Sequence, residues 1–246
     1  RDRSPSRGLG DVYKRQKLLL LPLLFINLSF AQEQKKAEEW TYVTKKDDIT
    51  VYTKTSKNSP IRALKALGLV NAPVDKILNI LRDVDSASEW LPNLIERTHV
   101  KDISDTEAII YEVSDLPWPV SDREMVLHNK LSLSKDKKSI ILYFKSVEDD
   151  AKKPNDDYVR AKVHYGKITF KPIGKTTHIE MILLADPMGS VPKWAVNVMQ
   201  VSLPHNFIMS LNKFAGISKL EIRPGIKELV SKLILDPTGP KLIKGK

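Results

Sequence analysis

Residues 111–124 read YEVSDLPWPVSDRE, and this stretch decides how the middle of the chain folds. Two prolines enclose Trp118, and because proline restricts its own backbone and that of the residue before it, they hold an extended turn. The flanking runs, Glu107–Val113 and Arg123–Ser134, are strand candidates, and the first is rich in β-branched and aromatic residues. The stretch therefore predicts two sequential strands joined by a clamped turn.

The same pattern continues on both sides of this pair. Short turn sequences, without a helical crossover, separate the strand candidates from residue 94 onward, so the sheet is expected to be antiparallel and meander-like. The candidates are Ile95–Ile103, Glu107–Val113, Arg123–Ser134, Ser139–Val147, Val159–Lys171 and Thr176–Ala185, preceded by Ile49–Thr53 and Ile61–Val70.

Helical spacing appears in two main places. Pro73 suits a first helical turn, and apolar residues then recur with a period of three to four residues up to Leu81. Pro192 opens a long second helix, which Pro204 should kink or split and Gly216 should end. A shorter amphipathic piece follows at 226–235. The order predicts an α+β domain in which a sheet wraps a long C-terminal helix.

The first 39 residues are read separately from the fold. Lys17 is followed by an apolar run, and Ser29 and Ala31 supply small residues at the expected cleavage positions, which is typical of a secretory signal over 17–31. Residues 1–16 are interpreted as adaptor or read-through sequence, and 32–39 as a flexible leader. We therefore expect a secreted or periplasmic protein, cleaved after Ala31.

Composition excludes several classes of protein. The chain has no cysteine, which excludes disulfides, thiolate catalysis and Cys-based zinc sites. Residues 1–17 carry six of the Lys and Arg residues and two acidic ones, so the remainder of the chain has a mild formal charge of +6 out of the total of +10. No basic stripe with interleaved aromatics is visible along the sequence, so nucleic acid is not expected as a partner.

Motifs for catalysis or metal binding are weak. The five histidines are scattered, and the sequence around Gly174 lacks the earlier glycine of a phosphate-binding loop. The acidic pairs at 149–150 and 156–157 lack the spacing of a calcium loop. We therefore predict no catalytic residue, no metal site and no cofactor.

Glu112 and Arg123 flank the clamped turn. If both side chains point inward, they could pair across an apolar interior and orient the polar end of a ligand, since a buried ion pair is costly and rarely kept for stability alone. An ion pair at the rim of the sheet is the alternative.

A second informative stretch, 186–194, reads DPMGSVPKW and describes a strand exit, a glycine turn and a proline-started helix. Together with Trp40, the DDITVY run at 47–52, Ala72-Pro73, the DVDSASEW run at 83–90 and PWPVSDRE at 117–124, it resembles the START family of lipid-transfer domains. Two positions depart from that pattern, because Asp48 stands where glycine is usual and Glu124 where aspartate is usual. The resemblance covers residues 40–216.

The resemblance implies a helix-grip fold, in which a curved antiparallel sheet grips the C-terminal helix around an internal tunnel. It implies binding, and transfer, of a single sterol, phospholipid or similar lipid, without cofactor. Glu112 and Arg123 become candidates for polar contacts with this ligand. The candidates for lining the tunnel, each of which could equally be ordinary core, are Trp90, Trp118, Met125, Met181, Trp194, Val198, Met199 and Phe207.

The same resemblance sets the remaining expectations. The lipid-binding domain should span 40–220, followed by a C-terminal helical tail at 221–246, and the protein should be monomeric with transient contact to a membrane surface. Two alternatives stay open: a ligand-gated interaction module, and a helix-grip enzyme of the cyclase or hydrolase kind using the same cavity.

Overall fold

Strands with polar and apolar alternation come together in one ten-stranded sheet. The computed structural model describes residues 39–56 and 59–234, without the side chains of 56, 59–60, 193–194 and 196–201. The strands are β1 Thr41–Lys46, β2 Ile49–Ser56, β3 Ser59–Val70, β4 Leu94–Ser104, β5 Glu107–Ser114, β6 Arg123–Leu133, β7 Ile140–Ser146, β8 Val159–Arg160, β9 Lys162–Ile173 and β10 Thr176–Asp186. The helices are α1 Val74–Arg82, α2 Ala87–Trp90, α3 Lys193–Ile217 and α4 Pro224–Ser231.

The strand order is β1-β2-β3-β10-β9-β7-β6-β5-β4, and every pair along it is antiparallel. This confirms the predicted meander and the α+β class. The two-residue β8 is separate from β9 and pairs in parallel with the start of β6, so the predicted strand Val159–Lys171 is interrupted at Ala161. The prediction also missed β1, a largely exposed edge strand whose lysines weaken its apolar signal.

One face of the sheet, here called the inner face, carries the core. Ile140, Phe170 and Ile179 lie side by side on β7, β9 and β10, and all three are buried. The neighbouring row contains Ile168 and Met181. Helices α1, α3 and α4 contribute buried side chains to the same cluster, so the sheet wraps the helices from one side.

Helix α3 runs for 25 residues and is continuous through Pro204, so the predicted split is wrong. Its C-terminal half is held in the core by Ile208 and Leu211, whose burial offsets the hydrogen bond that proline removes. The helix comes close to β3 at Gly68, where an added Cβ would lie 3.0 Å from Cγ2 of Ile208. Glycine therefore sets the distance between helix and sheet at this point.

The segment after α3 is docked onto the domain. The Asn79 side chain donates to the Glu221 carbonyl and accepts from the Arg223 backbone N–H, both at 3.0 Å. Ile226 of α4 is fully buried, and the Gly225 N–H donates to Asp105 at 2.7 Å. Helix α4 thus belongs to the compact unit Glu38–Lys246.

The predictions for residues 1–16, 17–31 and 32–38 fall outside the described part of the chain. Within residues 39–56 and 59–234, none of the helices is both long enough and apolar enough to cross a bilayer.

Candidate ligand-binding site

A charged pair lies on the inner face near the edge of the sheet. Arg97 on β4 and Glu112 on β5 are register partners, and Nη1 of Arg97 lies 3.8 Å from Oε2 of Glu112. The two side chains are only 8% and 15% exposed. Burial raises the pKa of Glu112, and the positive charge of Arg97 opposes that shift. Arg97 also donates to the Leu81 carbonyl at 3.2 Å, at the end of α1.

Three buried polar atoms on the inner side of the sheet have no hydrogen-bond partner among the described residues. They are Nε of Arg97, Nε1 of Trp90 and Oδ1 of Asn129. Asn129 lies on β6, and its side chain shares the inner face with that of Leu131. Since an unsatisfied buried polar atom costs free energy, a polar group of a ligand would be stabilised at any of these two donors and one acceptor.

Four predicted lining residues lie on or against the inner face. Trp90 is buried and packs edge-on against Phe207 of α3, with ring centroids 5.7 Å apart. Met125 is half-buried and lies opposite Glu112 in the register of β5 and β6. Met181 is buried in the main core cluster. These positions bring an apolar surface next to the Arg97–Glu112 pair.

Arg123 does not pair with Glu112, so the predicted ion pair across the interior is wrong. Its guanidinium donates to backbone carbonyls instead: to Ser121, to Pro187 at 2.6 Å and to Met188 at 3.0 Å. Burial lowers the pKa of Arg123 from its ordinary value, with the charge of Asp122 opposing this. The side chain thus fastens the loop before β6 to the loop before α3.

Trp118 also differs from its prediction as a lining residue, because its side chain is 89% exposed. The reason lies in the loop that carries it: Leu116 and Val120 are the buried members, and they pack against Ala195 at the start of α3. The two ends of the loop are therefore anchored inward, and the residues between them, 117–119, are exposed. The half-exposed Met188 lies on the loop that Arg123 fastens to this one.

The predicted side chains of Trp194, Val198 and Met199 lie outside the described part of the chain. Their backbone belongs to α3.

Sequence reasoning missed Arg97. It is a single arginine in a polar strand whose register shifts at three places, so simple alternation does not indicate which face it occupies.

Sequence reasoning also missed the second buried carboxylate, Glu124, which is fully buried and lies on the other face of the sheet. Glu124 accepts hydrogen bonds from Tyr111 at 2.8 Å, Arg160 at 3.0 Å and the Asn155 N–H at 2.9 Å.

A separate cavity of about 360 Å³ lies between the β4–β5 turn and α4, and Asp105, Gly225, Glu228 and Lys232 are among its lining residues. Asp105 already binds the Gly225 N–H there, and its carboxylate is 3.7 Å from Arg223. The cavity is polar and distinct from the Arg97–Glu112 pair. Within the described ranges, no group of three or more acidic or histidine side chains is placed to hold a metal ion.

Comparison with known proteins gives a consistent result. The chain is 26% identical over 181 residues to an uncharacterized protein of Pseudomonas aeruginosa, covering 73% of this chain and 88% of that protein. It is 22% identical over 190 residues to the mouse phosphatidylcholine transfer protein, covering 74% and 88%.

Among solved structures, a STAR-related lipid transfer protein from Xanthomonas axonopodis is similar, with a TM-score of 0.64 and 27% identity over 72% of this chain and 98% of that one. The family model of the START domain matches residues 26–214. This chain belongs to the START domain family.

Proposed function

We propose that this protein binds one lipid molecule between α3 and the inner face of the sheet, and exchanges it with membranes. The observation that carries the proposal is the buried Arg97–Glu112 pair on the inner face, in which Nε of Arg97 has no partner among the described residues, next to the apolar Met125. A lipid would cover the apolar surface, where burial is worth ~25 cal/mol per Å². Its polar end would meet the atoms that lack partners. Family membership and similarity to lipid-transfer proteins support the same reading.

The polar end of the lipid is assigned to Arg97 and Glu112. Arg97 supplies a permanent charge and planar donors, of which Nε has no partner. Trp90 and Asn129 carry a further unpartnered donor and acceptor on the same side of the sheet, with Asn129 opposite Ala108 rather than beside Glu112. Arg123 does not orient the ligand in this assignment, because backbone carbonyls engage its donors.

The proposal is of binding without chemical conversion. Three of the five histidines bond with other charged side chains: His99 with Arg82, His128 with Glu107 and His205 with Asp47. These contacts explain the three imidazoles as structural groups, so no reaction is needed to account for them.

The binding test uses a blocking variant on the inner face. Met125→Trp would add bulk beside Glu112, whereas Leu69→Trp adds the same indole on the opposite face, where Leu69 is half-exposed. Native mass spectrometry of the purified protein should find one lipid per parent chain, and a fluorescent phospholipid or sterol should be displaced competitively. We expect M125W to weaken binding about tenfold or more and L69W to leave it unchanged. Equal binding by both variants, or no lipid bound by the parent, contradicts the proposal.

Contact with the membrane is proposed at Trp118. A tryptophan held outward by a rigid loop is suited to the bilayer interface, where its apolar ring and polar N–H are both satisfied. Trp118→Ala should lower the lipid-exchange rate between vesicles, while leaving equilibrium lipid binding intact. Ile95→Ala, which removes a half-exposed apolar side chain from β4, is the matched control. An unchanged exchange rate in W118A would count against this assignment.

The site of action is proposed to be outside the cytoplasm, and the protein to act as a monomer. The apolar run after Lys17 supports export. Mass analysis of the exported protein should find Gln32 as its first residue, and light scattering should give the mass of one chain. Retention of residues 18–30 in a cytosolic product, or a dimer mass, would contradict these two points.

A further inference from the structure

The outer face of the sheet, opposite α3, carries a row of side chains with one residue per strand. Register partners in antiparallel strands lie side by side on the same face. From β1 to β5 through adjacent strands, the row is Tyr42, Tyr52, Lys65, Ile182, Lys167, Tyr143, Lys130 and Glu107. Three lysines thus alternate with aromatic or aliphatic side chains, a pattern that exists only across strands.

The side chains of this row contact one another. The Lys65 ammonium lies 4.7 Å from the ring centroids of both Trp40 and Tyr52, which places the charge over two aromatic rings. The rings of Tyr42 and Tyr52 meet edge-on at 6.1 Å. At the other end Lys130 bonds with Glu107 at 2.8 Å.

The surroundings of the row are also basic and apolar. Lys145 and Lys171 are exposed on the same face, beside the half-exposed Tyr165 and Leu69. Glu180 is the acidic side chain that adjoins them on β10. The acid-rich loop 148–157 covers a different part of this face, over β5 and β6, where Glu124 and Arg160 fasten it. Among the described residues, positive charge therefore dominates the part of the outer face that this loop leaves uncovered.

We propose that this basic outer face is a second docking surface, and that its occupant is an anionic lipid bilayer. Lysine stems lie along apolar surface while their charges reach anionic headgroups, and tyrosine rings favour the same interface. Adjacent strands are ~4.8 Å apart, so Tyr52 to Lys130 spans roughly 24 Å, the width of several headgroups. The inference rests on the proposed function, because a protein that exchanges lipid must meet membranes.

The test uses the full chain and vesicles of phosphatidylcholine with or without phosphatidylglycerol, at low and high salt. The variant K65Q/K145Q/K167Q removes three charges from the outer face. The control K46Q/K219Q/K227Q removes three exposed charges elsewhere. We expect the outer-face variant to lose about tenfold or more of its partitioning to anionic vesicles, and the control about threefold or less. Binding to pure phosphatidylcholine should not differ between them.

Two further measurements distinguish the outer face from the membrane contact at Trp118 and from the proposed lipid-binding site. In a Trp118→Ala background the difference between the two triple variants should persist, since the surfaces are distinct. Native mass spectrometry should find the same bound lipid in the parent and in K65Q/K145Q/K167Q; its absence from both refutes the proposed function rather than this docking surface. Equal losses in the two triple variants, or tighter binding to poly-glutamate or an oligonucleotide than to anionic vesicles, would overturn the proposal.

Discussion

Nη1 of Arg97 and Oε2 of Glu112 face each other at 3.8 Å on the inner side of the sheet, a distance longer than a hydrogen bond. The pair therefore neutralises charge without satisfying all of its own donors and acceptors. An ion pair of this kind contributes little to stability, because removal from water offsets the attraction between its members. Among the described residues nothing accepts a hydrogen bond from Nε of Arg97, so this donor is left for a third polar group.

The pH dependence of stability provides a test of this environment. Burial raises the pKa of Glu112 in the folded protein, and the charge of Arg97 opposes that shift. The stability that Glu112 contributes is therefore fully present below the pKa of the unfolded chain, near 4.5, and is lost as pH rises through the pKa of the folded protein. Relative to Glu112→Gln, the parent should therefore become less stable as pH rises above the unfolded value. Urea unfolding at several pH values measures this, with the exposed Glu221→Gln as control. A difference that does not change with pH would contradict the prediction.

Arg123 is predicted to be a structural fastener. Arg123→Ala leaves the carbonyls of Pro187 and Met188 without their donors and should lower the free energy of unfolding by about 3–5 kcal/mol. Arg123→Lys should recover only part of this, since an ammonium cannot reproduce a planar fork. Urea unfolding measures both variants, and amide hydrogen exchange of residues 188–191 should accelerate. Arg62→Ala, on the exposed surface, is the control. Loss of lipid binding without loss of stability would instead make Arg123 a ligand contact.

Glu124 should show the opposite pH dependence. Its burial raises the pKa, but hydrogen bonds from Arg160, Asn155 and Tyr111 outweigh this, and the net pKa is lowered. The stability it contributes is present above the unfolded value near 4.5 and is lost as pH falls through the folded value. We expect Glu124→Gln to cost about 2–4 kcal/mol at neutral pH and less at about pH 3.

Limited proteolysis provides a second readout for Glu124, because loosening loop 148–157 should expose it to cleavage. Glu148→Gln removes an exposed carboxylate from the same loop and serves as the control. If both variants are cleaved at the parental rate, Glu124 does not hold the loop.

Glycine is predicted to be required at position 166, because the ring of Phe144 leaves no space for a side chain there. A Cβ added there would lie 2.3 Å from the ring of Phe144 on β7, so Gly166→Ala should destabilise the protein by about 1–3 kcal/mol. Gly216, in the last turn of α3, has open space around it, and Gly216→Ala should be neutral or stabilise by about 0.5–1 kcal/mol. Thermal melting compares the two, and Phe144→Leu should relieve the clash in a G166A background. Equal melting temperatures for the two alanine variants would contradict the argument.

The sequence by itself determined the class of fold. Strand periodicity, short turns and the absence of helical crossovers after residue 94 predict an antiparallel meander, and the sheet confirms it. These signals are local, since alternation and turn chemistry depend on neighbours along the chain. The motifs at 117–124 and 186–194 indicated the START family for the same reason, and the family match confirms it.

Tertiary structure alone decided which charged groups meet. Glu112 has Arg97 as its partner, and not Arg123, which begins the strand after the clamped turn. Pairing across strands depends on register, and the bulges of β4 shift that register. Trp118 faces outward because its two apolar neighbours fill the space against α3. The alternation of Lys65, Lys167 and Lys130 with aromatic and aliphatic side chains arises only when distant segments become adjacent strands. Such patterns run perpendicular to the chain, so no window of sequence contains them.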